Sequence, residues 1–379
     1  MFSRLLDSGV PPIVIRCLIF MYQEQVGWVR WGKVRSKPFS ISNGTRQGSF
    51  VSPILWAVYC DPLIKRLRKL GLGAHVAGLF MGVACFADDV ILIAPSYQAM
   101  QIMLEEVETF AELHNIKFST DLVPQKSKSK CIFMTGNMKN LVKPPELRLC
   151  GRVLPWVERA THLGHELDES GKMEFDASCK RAQFIAKSHE IRTLFQWASP
   201  VEILRALKIY SSSFYGVMLW DLAGEKARQV YNAWNVAVKL TWGCPRATRT
   251  FLLQAVLNSG LPTARADILG RYPKFFHGLR KSASYEVRVL ANLTARDLRT
   301  TTGKNLKIVK EASGLDPWTA SVAEIKEAIM ENEQVEVAPE DQWKIPYLEK
   351  LLLYMQEYKY KGMDKEQEEL KELINSLVI

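Results

Sequence analysis

The chain has 379 residues, 47% apolar and 24% charged, with 50 Lys and Arg against 40 Asp and Glu and a formal net charge of +10. Such proportions leave enough apolar matter for two or three domains and exclude a low-complexity or disulfide-dependent fold. The excess of cations points to a polyanionic partner, nucleic acid before others, and away from a solvating acidic segment.

Along the chain, apolar residues at Leu5, Leu6, Ile13, Ile15, Leu18 and Ile19 predict short helices divided by the turn at Gly9-Val10-Pro11-Pro12. A hairpin is predicted over 26–31 and 34–41, closed around Gly32-Lys33. Ser52-Pro53 has the residues of a helix start, with Ser accepting from the first free amides and Pro at the first helical position. That helix is expected to run to Leu70, to stop at Gly71-Leu72-Gly73, and to kink or split at Pro62, with Asp61 as a second cap. Two strands over 79–85 and 90–94 flank Phe86–Asp89. Ser96 then caps a helix that buries Met100, Met103, Leu104, Val107, Phe110 and Ala111 on one face. Strands are predicted at 116–119 and 131–135, followed by a hairpin around Gly151. From Lys172 onward the pattern is helical, with candidates at 175–197, 200–222, 225–242, 251–257, 346–360 and 364–377. Trp197, Trp220, Trp234 and Trp242 are expected in the core.

The seven cysteines make no C-x-x-C pair and no Cys/His cluster with zinc spacing, which suits a reducing compartment. The start MFSRLLDSGVPP lacks the form of a signal peptide, and no apolar run is long enough to span a bilayer. The expectation is therefore an intracellular protein, nuclear or cytoplasmic, neither secreted nor in a membrane.

Asp88-Asp89 is the feature that asks for chemistry. Adjacent carboxylates between two apolar strands repel by a few kcal/mol at ~4 Å and an effective dielectric near ~20. A divalent cation removes that penalty. On its own the tetrapeptide reads first as an acidic β-turn, since Asp is a common turn residue and aromatic-x-Asp-Asp recurs by chance.

Its neighbours decide between the two. GTRQGSFVSP at 44–53, PQKSK at 124–128 and THLGHEL at 161–167 stand in order around Phe86-Ala87-Asp88-Asp89. Together they resemble the reverse transcriptases of non-LTR (LINE-type) retrotransposons. So do Leu5-Leu6, Val10-Pro11, Trp31-Gly32, Asn43-Gly44 and TWGCPRATRT at 241–250. The resemblance covers residues 1–260 closely and the remainder more loosely. It implies an α+β fold, with a partial right-hand polymerase palm, a sheet with packed helices, at 1–168 that includes the primer-grip hairpin. A helical thumb at 169–222, a helical region at 223–300 and a charged helical region at 301–379 would follow.

The resemblance also implies roles. Asp88 and Asp89 would hold Mg²⁺, two ions in the intact family site, with Lys126 beside the phosphates. Gln47, Gly48, Phe86 and Ala87 would line the nucleotide and template site. Leu163 and Gly164 would grip the primer, and Lys180, Arg181, Lys187 and Arg192 would follow the nucleic-acid backbone or form a solvated face. The partners implied are an RNA template, a DNA primer or RNA–DNA hybrid, and dNTPs. Phe86 stands where many of the family carry Tyr, and Ser49 where many carry Gly. The strand bearing the family's first metal-binding aspartate would lie ahead of Phe2, so the chain is expected to lack it and not to polymerise DNA alone. Two rivals stay open: a non-catalytic nucleic-acid-binding remnant, and a structural protein with an accidental Asp-Asp turn.

Overall fold

The computed structural model describes residues 2–23, 25–41, 44, 48–123, 126–134, 144–212, 214–250, 261–332, 346, 348–350, 352–353 and 364–378. The chain divides into two compact units, residues 1–131 with 141–156, and residues 132–140 with 157–379.

The first unit mixes helices with short antiparallel hairpins. Helices α1 (Phe2–Asp7) and α2 (Pro12–Tyr22) bury Leu5, Ile15 and Leu18 against Leu55 of α3 (Ser52–Leu70). Strands β1 (Val26–Gly27) and β4 (Phe39–Ser40) pair around the inner pair β2 (Arg30–Trp31) and β3 (Val34–Arg35), giving the hairpin expected around Gly32-Lys33. Helix α3 departs from its sequence reading in three ways. Ser52 is the first helical residue, not the cap, and Ser49 Oγ accepts the Val51 N–H at 3.3 Å. Pro62 does not split the helix, and Leu63 and Leu67 beyond it bury their side chains. Asp61 caps nothing and instead pairs with Lys65 at 2.6 Å, one turn on. The stop is as expected, with Gly71 left-handed at φ 66°.

Hairpin β5 (His75–Val76) with β6 (Leu79–Phe80) precedes hairpin β7 (Val83–Phe86) with β8 (Asp89–Leu92). Ser96 caps α4 (Tyr97–His114) by accepting from the Ala99 N–H. Met103, Leu104, Val107 and Phe110 of α4 meet Leu63 and Leu67 in the unit's main core, closed by Leu147, Leu149 and Leu154. These last residues belong to the hairpin of β9 (Arg148–Leu149) and β10 (Arg152–Val153), turned at Cys150-Gly151. No strand forms at 116–119, and Cys131 makes a single parallel bridge to Trp156 in place of the strand expected from it; Thr135 lies outside the described residues. Ile116, Phe118 and Cys131 still pack on the core, so their apolar character marks burial without a ladder. Burial also pushes the thiols of Cys60 and Cys131 up to about 11, so both are inert core-side groups at neutral pH.

The second unit is one helical core with a hairpin at its head. β11 (Arg159–His162) and β12 (His165–Asp168) pair in register around Leu163-Gly164. Helices α5 (Glu174–Leu194), α6 (Pro200–Tyr210) and α7 (Glu225–Thr241) follow, then Ala264–Arg280, Tyr285–Arg296, Thr301–Ser313, Val322–Asn332 and Asp364–Val378. Ser199 and Glu202 form a reciprocal capping box at the head of α6. The helix expected over 200–222 ends at Tyr210. There Ser211 and Ser212 turn their hydroxyls back onto the Leu207 and Lys208 carbonyls, and left-handed Phe214 and Gly216 follow. Trp220, Trp234 and Trp242 are core residues, whereas Trp197 is 79% exposed in the turn after α5, contrary to expectation. The helix candidate at 251–257 and most of that at 346–360 lie outside the described residues. No described helix is long and apolar enough to cross a membrane.

Candidate functional site

Phe86 and Asp89 face each other as the last pair of the β7–β8 ladder, so Ala87 and Asp88 form a two-residue turn. Of the other two-residue hairpins, Ala77-Gly78, Cys150-Gly151 and Leu163-Gly164 carry a left-handed glycine in the second place, and Gly32-Lys33 carries one in the first. The acidic turn has no glycine. Ala87 takes φ 51°, at a cost of about 1–2 kcal/mol for an L residue, as Ala77, Cys150 and Leu163 do in the first place of their turns, and Asp88 occupies the second place, which glycine holds in those three.

Phe86, Ala87, Asp88 and Asp89 are all exposed. Among the described residues, neither carboxylate takes a hydrogen bond or an ion pair. Two adjacent oxygen-donor groups left unpaired at a strained turn match the donor chemistry of a hard divalent cation. Among the described residues no group of three or more His, Cys, Asp or Glu is assembled for a metal, so the pair stands without a third such ligand.

Sequence reasoning missed the residue that fixes this turn. Trp56, one turn into α3, donates its indole N–H to the Ala87 carbonyl at 2.6 Å. Tyr59 on the same helix donates its hydroxyl to the His114 carbonyl at 2.6 Å, and Arg4 donates to the Tyr59 carbonyl at 2.8 Å. The turn is thereby tied through α3 to the end of α4 and to α1. A tryptophan among apolar helix residues reads as core from sequence, and no local signal separates it.

Gly48 has φ 83° and Gly44 φ 93°, which explains glycine at both places; Gln47 lies outside the described residues. Lys126 is exposed. Among the described residues no hydrogen bond or ion pair links Gly48 or Lys126 to the acidic turn.

In the second unit, Leu163 (φ 48°) and Gly164 (φ 77°) make the hairpin tip, and Lys180 Nζ on α5 donates to the Gly164 carbonyl at 2.8 Å. Lys187 pairs with Glu190 at 2.9 Å, Arg192 is half-buried, and Arg181 has a buried Nε with no hydrogen-bond partner among the described residues. Asp176, fully buried in the first turn of α5, was not singled out in the sequence. It accepts from the Glu166 backbone N–H at 3.0 Å and the Trp220 indole N–H at 2.8 Å, so it fastens the hairpin to the helical core.

Residues 2–167 match the profile of the family described as reverse transcriptase (RNA-dependent DNA polymerase), a stretch that holds the acidic turn and ends within the β11–β12 hairpin. That stretch is also similar to parts of two retrotransposon Pol polyproteins. One of them is the retrovirus-related Pol polyprotein from type-2 retrotransposable element R2DM of Drosophila melanogaster. It is 31% identical over 86 residues, which are 23% of this chain and 8% of that protein. Another is the retrovirus-related Pol polyprotein from type-1 retrotransposable element R2 of Nasonia vitripennis, 22% identical over 124 residues, 33% of this chain and 12% of that protein. The matched stretches are thus a small part of each relative. The motif at 241–250 lies beyond the family match.

Proposed function

We propose that the chain is part of an RNA-directed DNA polymerase of a non-LTR retrotransposon, with a partial palm over 1–168 and a helical thumb over 169–222. The observation that carries this reading is the pair of unpaired carboxylates at the strained Ala87-Asp88 turn, inside the segment that matches the reverse-transcriptase family.

In this reading Asp88 and Asp89 hold Mg²⁺, with Asp88 the more direct ligand. Bound Mg²⁺ offsets charge on the nucleotide phosphates and lowers the barrier to phosphoryl transfer. Trp56 holds the turn carbonyl so that the carboxylates keep one orientation. Gln47, Gly48, Phe86 and Ala87 line the template and nucleotide side, and Lys126 balances phosphate charge. Leu163 and Gly164 set the primer end, while Lys180, Arg181, Lys187 and Arg192 meet backbone phosphates. An RNA template, a DNA primer or RNA–DNA hybrid, and dNTPs are the partners, in an intracellular setting of nucleus or cytoplasm.

With only two carboxylates gathered among the described residues, the chain by itself is expected to extend a primer poorly. The same observation favours a second reading, a nucleic-acid-binding remnant without chemistry.

Both readings require binding to a primer–template. In fluorescence anisotropy with a labelled RNA–DNA hybrid, affinity should fall with salt at a log–log slope of about −3 to −4 if four phosphates are neutralised. No binding at low salt, or binding indifferent to salt, would overturn both.

A further inference from the structure

The tip of the β11–β12 hairpin carries an aromatic surface that none of the roles above uses. Tyr215 is 62% exposed and lies on the His165 imidazole, with centroids 5.1 Å apart and ring planes 24° apart. Its ring edge comes within 3.5 Å of where a Cβ on Gly164 would stand, so the phenol flanks the turn itself.

The backbone around Tyr215 is shaped to hold it outward. Phe214 is left-handed at φ 40°, a conformation rare for an L side chain, and its ring is buried beside Phe184 and Trp220. Gly216 is left-handed too, and a Cβ there would fall 1.7 Å from His165 Cε1, so only glycine lets the imidazole lie where it does. Val217 turns back into the core. Below, the buried Asp176 carboxylate stands 3.8 Å from His165 Nδ1, a nitrogen with no hydrogen-bond partner among the described residues. The imidazole lies between this carboxylate and the phenol, which it backs.

We propose that Tyr215, backed by His165, is a stacking platform for an unpaired nucleobase on the strand that passes the Leu163-Gly164 turn. The chemistry fits that ligand class. One face of the phenol is covered by His165, and the side chain as a whole stands mostly in solvent, as a base-stacking ring requires. Lys180 uses one of its three N–H donors on the Gly164 carbonyl, which leaves two for a phosphate of the same strand. The proposal rests on the polymerase reading, since it takes nucleic acid as the ligand, and it places a base-contacting residue beside the hairpin tip that sets the primer end.

The test compares a short fluorescein-labelled deoxyadenosine strand with an abasic strand of equal length and charge, in anisotropy titrations on the full chain. The wild-type chain should prefer the intact strand by about 5- to 100-fold. Tyr215→Ala should remove that preference while the abasic strand binds as before, and Tyr215→Phe should retain it because the ring remains. Unchanged thermal melting of both variants would show that the core is intact, as expected for an exposed side chain. A preference that survives Tyr215→Ala, or a wild-type chain that binds both strands equally, would overturn the platform and leave the polymerase reading standing. A wild-type chain that binds neither strand nor the RNA–DNA hybrid would overturn both.

Discussion

Asp88→Ala is expected to lower Mg²⁺-dependent primer extension by at least about a hundredfold in any form of the protein that extends an RNA-templated primer. Asp88 is exposed, unpaired among the described residues, and set in the second place of a turn where three of the other hairpins have glycine. Replacing it removes an oxygen donor without disturbing the core. The loss should therefore appear in kcat with no change in melting temperature, and affinity for the primer–template should hold. Extension that persists within a few-fold in the variant would favour the remnant reading or place the chemistry elsewhere.

Trp220→Ala carries the largest expected effect on stability, about 3–5 kcal/mol in urea unfolding. The indole is 2% exposed, sits in the core of the second unit and donates to Asp176 Oδ2 at 2.8 Å. Alanine would open a cavity and also leave a fully buried carboxylate short of a donor. Trp220→Phe separates these losses. It keeps most of the volume and removes only the N–H, so about 1–3 kcal/mol should be lost. A cost below about 1 kcal/mol for Trp220→Ala would mean that Asp176 is not held in a closed core.

Much of this arrangement can be read from the residues. Ser96, Gly71 and the Cys150-Gly151 turn act through local backbone chemistry, and each stands where its residue type predicts. The apolar face of α4 follows from helical spacing and is buried as expected, apart from half-buried Met100. Failures occur where a tertiary partner decides. Pro62 stays within a continuous helix whose next turn is anchored by Leu63 and Leu67. Ile116 and Phe118 pack on the core without forming a ladder, so burial and not strand pairing accounts for their apolar character. Helix α6 ends early through serines that bond backward, a choice that periodicity does not record.

The candidate site divides in the same way. The Asp-Asp turn and the Leu163-Gly164 tip were legible because their sequences are themselves turn signals. Trp56 and Asp176 were not. Each acts on a partner distant in sequence, Ala87 for the first and Trp220 for the second, and neither has a local pattern that tells positioning from packing.

The central claim is that the acidic turn holds a divalent cation, and Mn²⁺ titration followed by electron paramagnetic resonance tests it without requiring turnover. Mn²⁺ accepts the same oxygen donors as Mg²⁺. In the presence of primer–template and dNTP, the wild-type chain should draw Mn²⁺ out of the free signal, and the double variant Asp88→Asn, Asp89→Asn should not. Equal binding by both proteins would contradict the assignment, as would no binding by the wild-type chain under those conditions.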